Sequence, residues 1–388
     1  MIKSTAFPSR TTEIKTSIFK SDNGVDEYNI FIRPSSYSSV EKQLAEINES
    51  YRLTLNELGI DSDTSIFRRF FCSDLNNQAI RFEQFDITSS QKSNCAVSFI
   101  CQPPMMPAKI SMWAYHISDP SGIEKSWQDN SLKLQRKDHV HHWTTNLCAF
   151  AGQNSYYQTE GIFSKYNSYL DANELTLSDN VVRTWFFVQN VDVNYKGFVE
   201  ARNDIFKEAG LTKETHYIAS TGIEGRHVNP QHNTAMDSYA ISNIRHEQLE
   251  FLSVPENMCP THDYGVSFER ATTVKYRDRK HTFISGTASI DKKGQVVHKG
   301  DVLKQLDRTV ENVQALLDKC GSKLSDIASA IVYIRDISDF SIIKENISKY
   351  LGGTPHEIVL APVCRPEWLI EIEAIAITKS NSPEMPEL

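Results

Sequence analysis

The two carboxylates of residues 368–377 (WLIEIEAIAI) carry the clearest chemical signal in this sequence. The segment alternates as a strand does, with Leu369, Glu371, Glu373, Ile375 and Ile377 on one face and Trp368, Ile370, Ile372, Ala374 and Ala376 on the other. A carboxyl group among apolar neighbours loses solvation, so its pKa rises and it keeps a proton near neutral pH. A general acid needs that state, and Glu371 is the candidate. The competing reading turns the glutamate face to solvent, and the strand alone does not separate the two. Cys364 and Arg365 lie in the loop before it, with Cys364 seven residues upstream of Glu371. A guanidinium there suits a substrate carboxylate through its paired donors. A lone cysteine is also an ordinary small buried side chain.

Two further segments break at a small-residue pair. Residues 283–290 read as a strand interrupted at Ser285-Gly286, and residues 219–223 as one interrupted near Thr221-Gly222. Backbone N–H groups freed at such a break can meet a carboxylate, although ordinary turns share the pattern. The run His139-Val140-His141-His142 puts His139 and His141 on one strand face. With no cysteine or third placed carboxylate nearby, a structural or substrate-contacting role is expected, and no metal is assigned.

These groups need elements to hold them. Residues 305–320 have apolar positions at Leu306, Val310, Val313, Leu316 and Leu317, one face of a helix, followed by Gly321 as a stop and the strand Ile327–Ile334. Residues 43–58 repeat this pattern, followed by Gly59 and the strand Ser65–Cys72; Gln43 and Asp74 lie 31 positions apart, as do Gln305 and Asp336. A third copy is expected at helix 157–175 and strand 181–189, with a second helix at 195–209 that matches 340–350. The expectation is an α/β (α+β) chain of three related units, 1–120, 121–254 and 255–388, with soft joints in 119–137 and 255–260. Three copies at a period near 130 residues are too few for a solenoid and suit a compact internal pseudo-trimer.

Composition narrows the class. Of 388 residues, 40% are hydrophobic and 23% charged, as in a folded globular protein. The net charge of −8 and the absence of a Lys/Arg block argue against nucleic acid as a partner. No stretch approaches the roughly 20 apolar residues of a membrane span, and residues 1–10 lack the apolar core of a signal peptide. Seven scattered cysteines without a CxxC pair read as free thiols, so a cytoplasmic location is expected.

Taken together, Ser285-Gly286, the helix from Gln305, residues 331–336 with Phe340, and residues 370–376 resemble the RidA (YjgF) superfamily over 267–379. The resemblance implies a chorismate-mutase-like sheet with packed helices, usually trimeric, with ligand sites between subunits. A closer similarity, over 181–379, is to the chorismatases, through 268–271 (FERA), 285–290 (SGTASI), 298–301 (HKGD), 182–185 (VRTW), 219–223 (ASTGI) and Cys364-Arg365. It implies cleavage of the enolpyruvyl ether of chorismate to pyruvate and either a hydroxybenzoate or a dihydroxycyclohexadiene carboxylate, with Glu371 protonating the methylene carbon. Cys364 goes with the hydroxybenzoate forms, whereas Ala271 points to the other product. Arg183, Arg202, Arg270 and Arg365 are the expected carboxylate ligands, with Thr221, Gly222, Tyr264, Ala271, Ser285 and Gly286 completing the pocket and neither cofactor nor metal required. The RidA deaminases have an arginine fifteen residues before the glutamate, where this chain has His356, so imine or enamine deamination ranks second. A small-carboxylate-binding protein without turnover is the third reading. The middle unit is expected to complete the last unit's pocket, giving a monomer or a low-order homo-oligomer.

Overall fold

The computed structural model describes residues 2–7, 9 and 11–388, and builds them into three six-stranded sheets. The first holds β1 (Ile2–Phe7), β2 (Thr12–Phe19), β3 (Asp26–Pro34), β4 (Ser65–Cys72), β5 (Ala96–Cys101) and β6 (Ile110–Ser118). The second holds β7 (Glu124–Gln128), β8 (Ser131–Arg136), β9 (His139–Leu147), β10 (Val181–Val188), β11 (Ala219–Glu224) and β12 (Thr234–Ile241). The third holds β13 (Leu249–Leu252), β14 (Ala271–Lys275), β15 (Arg279–Ala288), β16 (Ile327–Ile334), β17 (His356–Leu360) and β18 (Ile370–Lys379). All three have the same strand order, first-second-third-sixth-fourth-fifth. In each, only the fourth and fifth strands run parallel.

Helix α1 (Val40–Leu58) serves the first sheet, α2 (Ser155–Asp171) and α3 (Val191–Glu208) the second, and α4 (Val302–Lys319) and α5 (Phe340–Leu351) the third. Short turns stand where the first unit would have its second long helix. Side chains cap α1, α2 and α4 at their N-termini, through Ser39, Asn154 and Asp301. Gly59 ends α1 with a φ of 69°, a left-handed turn that glycine adopts without strain. The repeat is also chemical. Gln43, Gln158 and Gln305 are fully buried early in α1, α2 and α4, and each amide ties the loop before its helix to the loop entering the sheet's central strand.

Every residue of β4, β10, β12 and β16 is buried, because one sheet face meets helices and the other meets the neighbouring sheets. The helix side of the first unit packs Ile30, Ile32, Leu44, Phe70 and Met112. The opposite faces pool into one core containing Phe67, Trp113, Trp143, Trp185 and Phe283. Buried ion pairs join the sheets pairwise: Arg69 with Asp237 (2.9 Å), Arg183 with Glu373 (2.8 Å) and Arg279 with Glu27 (2.6 Å). Among the described residues no helix is long and apolar enough to cross a membrane, and all seven cysteines are free.

Candidate active site

Glu371 lies on β18 opposite Ala288 of β15 and Tyr333 of β16. Both Glu371 and Glu373 are buried, so their strand face turns inward rather than to solvent. The β15–β18 register slips between Ile284 and Thr287, which makes Ser285-Gly286 a bulge. The bulge grips the middle unit. Gly286 N–H donates to Thr221 Oγ1 at 2.9 Å, while Ser285 Oγ accepts from the Ser220 N–H at 2.9 Å and donates to the Glu269 carbonyl at 2.6 Å. A Cβ at Gly286 would collide with Glu371 Oε1 and lie 3.1 Å from Thr221 Cγ2, so only glycine allows this approach.

A cavity of 220 Å³ opens here between the middle and last units, lined by Glu371, Thr221, Gly222, Gly286, Cys364 and three arginines. Arg202, on α3, stacks on Phe198 at 4.7 Å, and its Nε and Nη2 are buried without partners. Arg270 donates to the Cys259 carbonyl at 2.9 Å and leaves its buried Nε unpaired. Arg365 sits between Tyr264 (4.8 Å) and Trp368 (4.7 Å) and donates to the Gly294 carbonyl at 3.0 Å. Buried guanidinium N–H groups without acceptors are costly unless an anion arrives to accept from them.

Burial, and then the neighbouring Glu373 carboxylate, push the Glu371 carboxyl up to about 8; Arg183 and Arg270 offset part of that. These surroundings favour the protonated carboxyl near neutral pH. Burial, then Glu371 itself, push the Cys364 thiol up to about 12, so Cys364 stays protonated and is no thiolate nucleophile.

Of the residues expected from sequence, Glu371, Cys364, Arg202, Thr221, Gly222, Tyr264, Arg270, Gly286 and Arg365 line this cavity. Three do not. Arg183 is committed to Glu373 and to Thr221 and Ser285, so it braces the wall from behind. Ser285 acts as a strut between β15 and β11, as described above. Ala271 points into the core because it alternates with Arg270, and it does not reach the cavity. His356 is also elsewhere: its surroundings are Lys15, Arg33 and Glu13 of the first unit, so its identity does not bear on this pocket. His141 bonds Tyr239 (2.6 Å), His142 bonds Tyr169 (2.7 Å) and Ser242 (2.8 Å), and His139 bonds Gln248 (3.2 Å), so each imidazole is engaged separately.

Tyr195, Phe268 and Trp368 line the cavity without having been selected from sequence. Tyr195, Phe198 and Arg202 share one face of α3 at i, i+3 and i+7, a signal that was present. Phe268 opens the 268–271 match, but that match gave it no role of its own. The carboxylate is not repeated in the other units: the positions equivalent to Glu371 are Ala235, opposite Phe187, and Ser111, opposite Phe71.

A family model described as Endoribonuclease L-PSP matches residues 272–378. A RutC family protein of Pyrococcus abyssi is 36% identical over 96 residues, 24% of this chain and 76% of that protein. Protein DfrA of Myxococcus xanthus is 30% identical over 101 residues, 26% of this chain and 77% of that one. Among solved structures, a chorismatase superposes with a TM-score of 0.63 at 16% identity, covering 81% of this chain and 93% of its own, a likeness of fold.

Proposed function

The chain belongs to the RutC family, within the RidA (YjgF) superfamily, and from that premise we propose that it cleaves the enolpyruvyl ether of chorismate with release of pyruvate. One observation carries the reading: a buried Glu371, whose surroundings favour its protonated form, shares its cavity with Arg202, Arg270 and Arg365, two of which have unpaired buried N–H groups. The arrangement suits an aromatic-sized dicarboxylate whose reactive carbon needs a proton.

Glu371 gives its proton to the methylene carbon of the enol ether, and positive charge develops on the ether carbon and oxygen. Attack there by water leads to pyruvate and a dihydroxycyclohexadiene carboxylate. Attack instead by the adjacent ring hydroxyl on the ring carbon that bears the ether breaks that C–O bond, expels pyruvate and leaves an arene oxide, whose opening with loss of the ring proton gives a hydroxybenzoate with no net water consumed. Cys364, neutral beside Glu371, occupies space that a water would otherwise fill. With Ala271 out of the cavity, Cys364 is the residue left to set the product, and we assign the hydroxybenzoate. The arginines hold the two carboxylates, and Tyr264, Phe268 and Trp368 supply flat apolar walls.

Purified protein incubated with chorismate is expected to release pyruvate, followed with lactate dehydrogenase, and Glu371→Gln is expected not to. Equal traces from both proteins would defeat the proposal. Imine deamination is the second reading, supported by the family alone. A three-carbon imino acid has one carboxylate for three arginines, which is why it ranks lower. Accelerated keto-acid release from an enzymatically generated 2-aminoacrylate, without pyruvate from chorismate, would reverse the order.

We also propose one site per chain in a monomer, since the interfaces that separate trimer subunits would share are closed internally. Light scattering should give a mass near 44.1 kDa, and a stable multiple of it would count against this.

A further inference from the structure

The middle unit has its own version of the last unit's cavity rim, with different residues. Glu224 ends β11 opposite Val188, and Leu360 ends β17 opposite Ile334; Thr234 and Ile370 then return opposite the same two residues. The intervening loops are equal in length, so His227 stands where the last unit has Val363, and His232 where it has Trp368. Leu147 opposite Met236 corresponds to Thr287 opposite Ile372, so Cys148 takes the place of Ala288 and Asn146 that of Gly286. The Asn146 side chain accepts from Phe99 N–H (3.0 Å) and donates to the Val97 carbonyl (2.7 Å), filling the space that Gly286 leaves open. The substrate position is thus blocked, and its rim now carries one thiol and two imidazoles.

We propose that Cys148, His227 and His232 bind one divalent transition-metal ion of the zinc class. One ligand atom from each lies within 4.8 Å of the other two, and Cys148 Sγ is 4.0 Å from His227 Nε2. The two imidazoles meet nearly at right angles, with centroids 5.2 Å apart, so they do not stack. His232 Nδ1 is buried and has no hydrogen-bond partner, an exception for a buried polar atom that a metal ion removes. The loops bearing the ligands are already tied together. Gly152 N–H donates to Gln231 O (2.9 Å), Asn233 Nδ2 to Gln153 O (3.0 Å), and Gln158 Nε2 to both Gln153 O and Gln231 O (2.8 Å each). Lys165 Nζ holds the Cys148 carbonyl at 2.9 Å.

Thiolate and imidazole donors favour zinc over magnesium or calcium. Bonds of about 2.0–2.3 Å space tetrahedral ligands roughly 3.5 Å apart, so closure needs shifts of about an ångström. Cys148 binds as thiolate and releases one proton per ion. Asn229 N–H now donates to His227 Nδ1 at 3.1 Å; metal at Nε2 moves that ring's proton to Nδ1, and the contact is exchanged for the metal bond. Three protein ligands leave a fourth position for water or a small anion. Cys148 also borders a 410 Å³ cavity beside Lys165 and Tyr169, which gives that ligand room.

The test uses the full chain, stripped with EDTA and titrated with Zn²⁺ against a chromogenic chelator, then with Co²⁺ as a spectroscopic probe. One equivalent should bind, with a thiolate-to-cobalt charge-transfer band in the near ultraviolet and a rise in melting temperature. Cys148→Ser should abolish the band. Cys148→Ser, His227→Gln and His232→Gln should each weaken zinc by more than the roughly 10–100-fold typical of a lost outer-shell partner. His262→Gln, at an exposed histidine, should change neither. Absence of stoichiometric binding, a cobalt spectrum without the thiolate band, or equal affinity in Cys148→Ser and wild type each overturns the proposal. If a variant fails to fold in EDTA, the wild-type cobalt spectrum decides.

Discussion

Glu371→Gln is expected to remove turnover and, at alkaline pH, to make the protein more stable than wild type. The loss should reach about 10²–10⁴-fold, the usual worth of a placed general acid. The gain follows from linkage. Burial and the facing Glu373 hold the folded-state pKa of Glu371 at about 8, above the ordinary 4.5, while Arg183 and Arg270 pull the other way. Between those values the folded state binds more protons than the unfolded chain, so stability falls as pH rises through the window. The stabilising effect of the neutral carboxyl is complete below about 4.5 and lost above about 8. Each pH unit within the window corresponds to about 1.4 kcal/mol at most, or a few kcal/mol in total once the coupling to Glu373 is discounted. Glutamine carries no such proton. Its melting temperature should match wild type near pH 5 and exceed it by several degrees near pH 8.5, as roughly 2–4 °C per kcal/mol implies. In wild type the rate should fall above pH 8 as the acid is lost. Parallel melting curves for the two proteins across this range would show that Glu371 is not desolvated as described.

Glu373→Gln is expected to be among the most destabilising single changes in the chain, at about 3–5 kcal/mol. Glu373 accepts from Arg183 (2.8 Å) and Trp185 Nε1 (3.0 Å), with Arg69 at 3.9 Å, and all four side chains are buried. Without it, Arg183 is a desolvated cation in a low-dielectric core. Removing both charges in Arg183→Met/Glu373→Leu should recover most of the loss, leaving about 1–3 kcal/mol for the Trp185 N–H without an acceptor. Urea denaturation of wild type, Arg183→Met, Glu373→Leu and the double variant, with Glu373→Gln measured beside them, gives the coupling. A loss under about 1 kcal/mol for Glu373→Gln, or additivity in the double variant, would refute the claim that this pair joins the middle and last units. The pH profile should also move. Glu373 raises the Glu371 pKa and Arg183 lowers it, so Glu373→Gln should shift the alkaline limb of the activity toward acid.

Much of the fold was legible because it rests on local patterns. The strands Ser65–Cys72 and Ile327–Ile334 lie where their apolar runs put them, and the helices start within a few residues of their expected positions. Alternation also put Glu371 and Glu373 on one face, since strand geometry fixes that without reference to the rest of the chain. The shared spacing of the first and last units, with the fainter middle copy, predicted the three-sheet architecture.

The sequence by itself therefore determined the elements, their repetition and the fact that Glu371 and Glu373 share a strand face, while the burial of that face came from the docked sheets. Tertiary structure decided which groups meet across the unit interfaces, because a side chain's direction is set by its own strand while its partner is set by the sheet docked against it. Arg183 and Glu371 looked alike as candidates, yet the register gives Arg183 to Glu373 and leaves Glu371 to the cavity. Ala271 and Arg270 are adjacent, and alternation buries one and brings the other to the site. His356 stands fifteen residues before Glu371 but faces the first unit, since the parallel edge strand that approaches Glu371 is β11 of the middle unit. Cys148, His227 and His232 form no motif in the linear chain, and only the docking of two loops 79 residues apart brings them together.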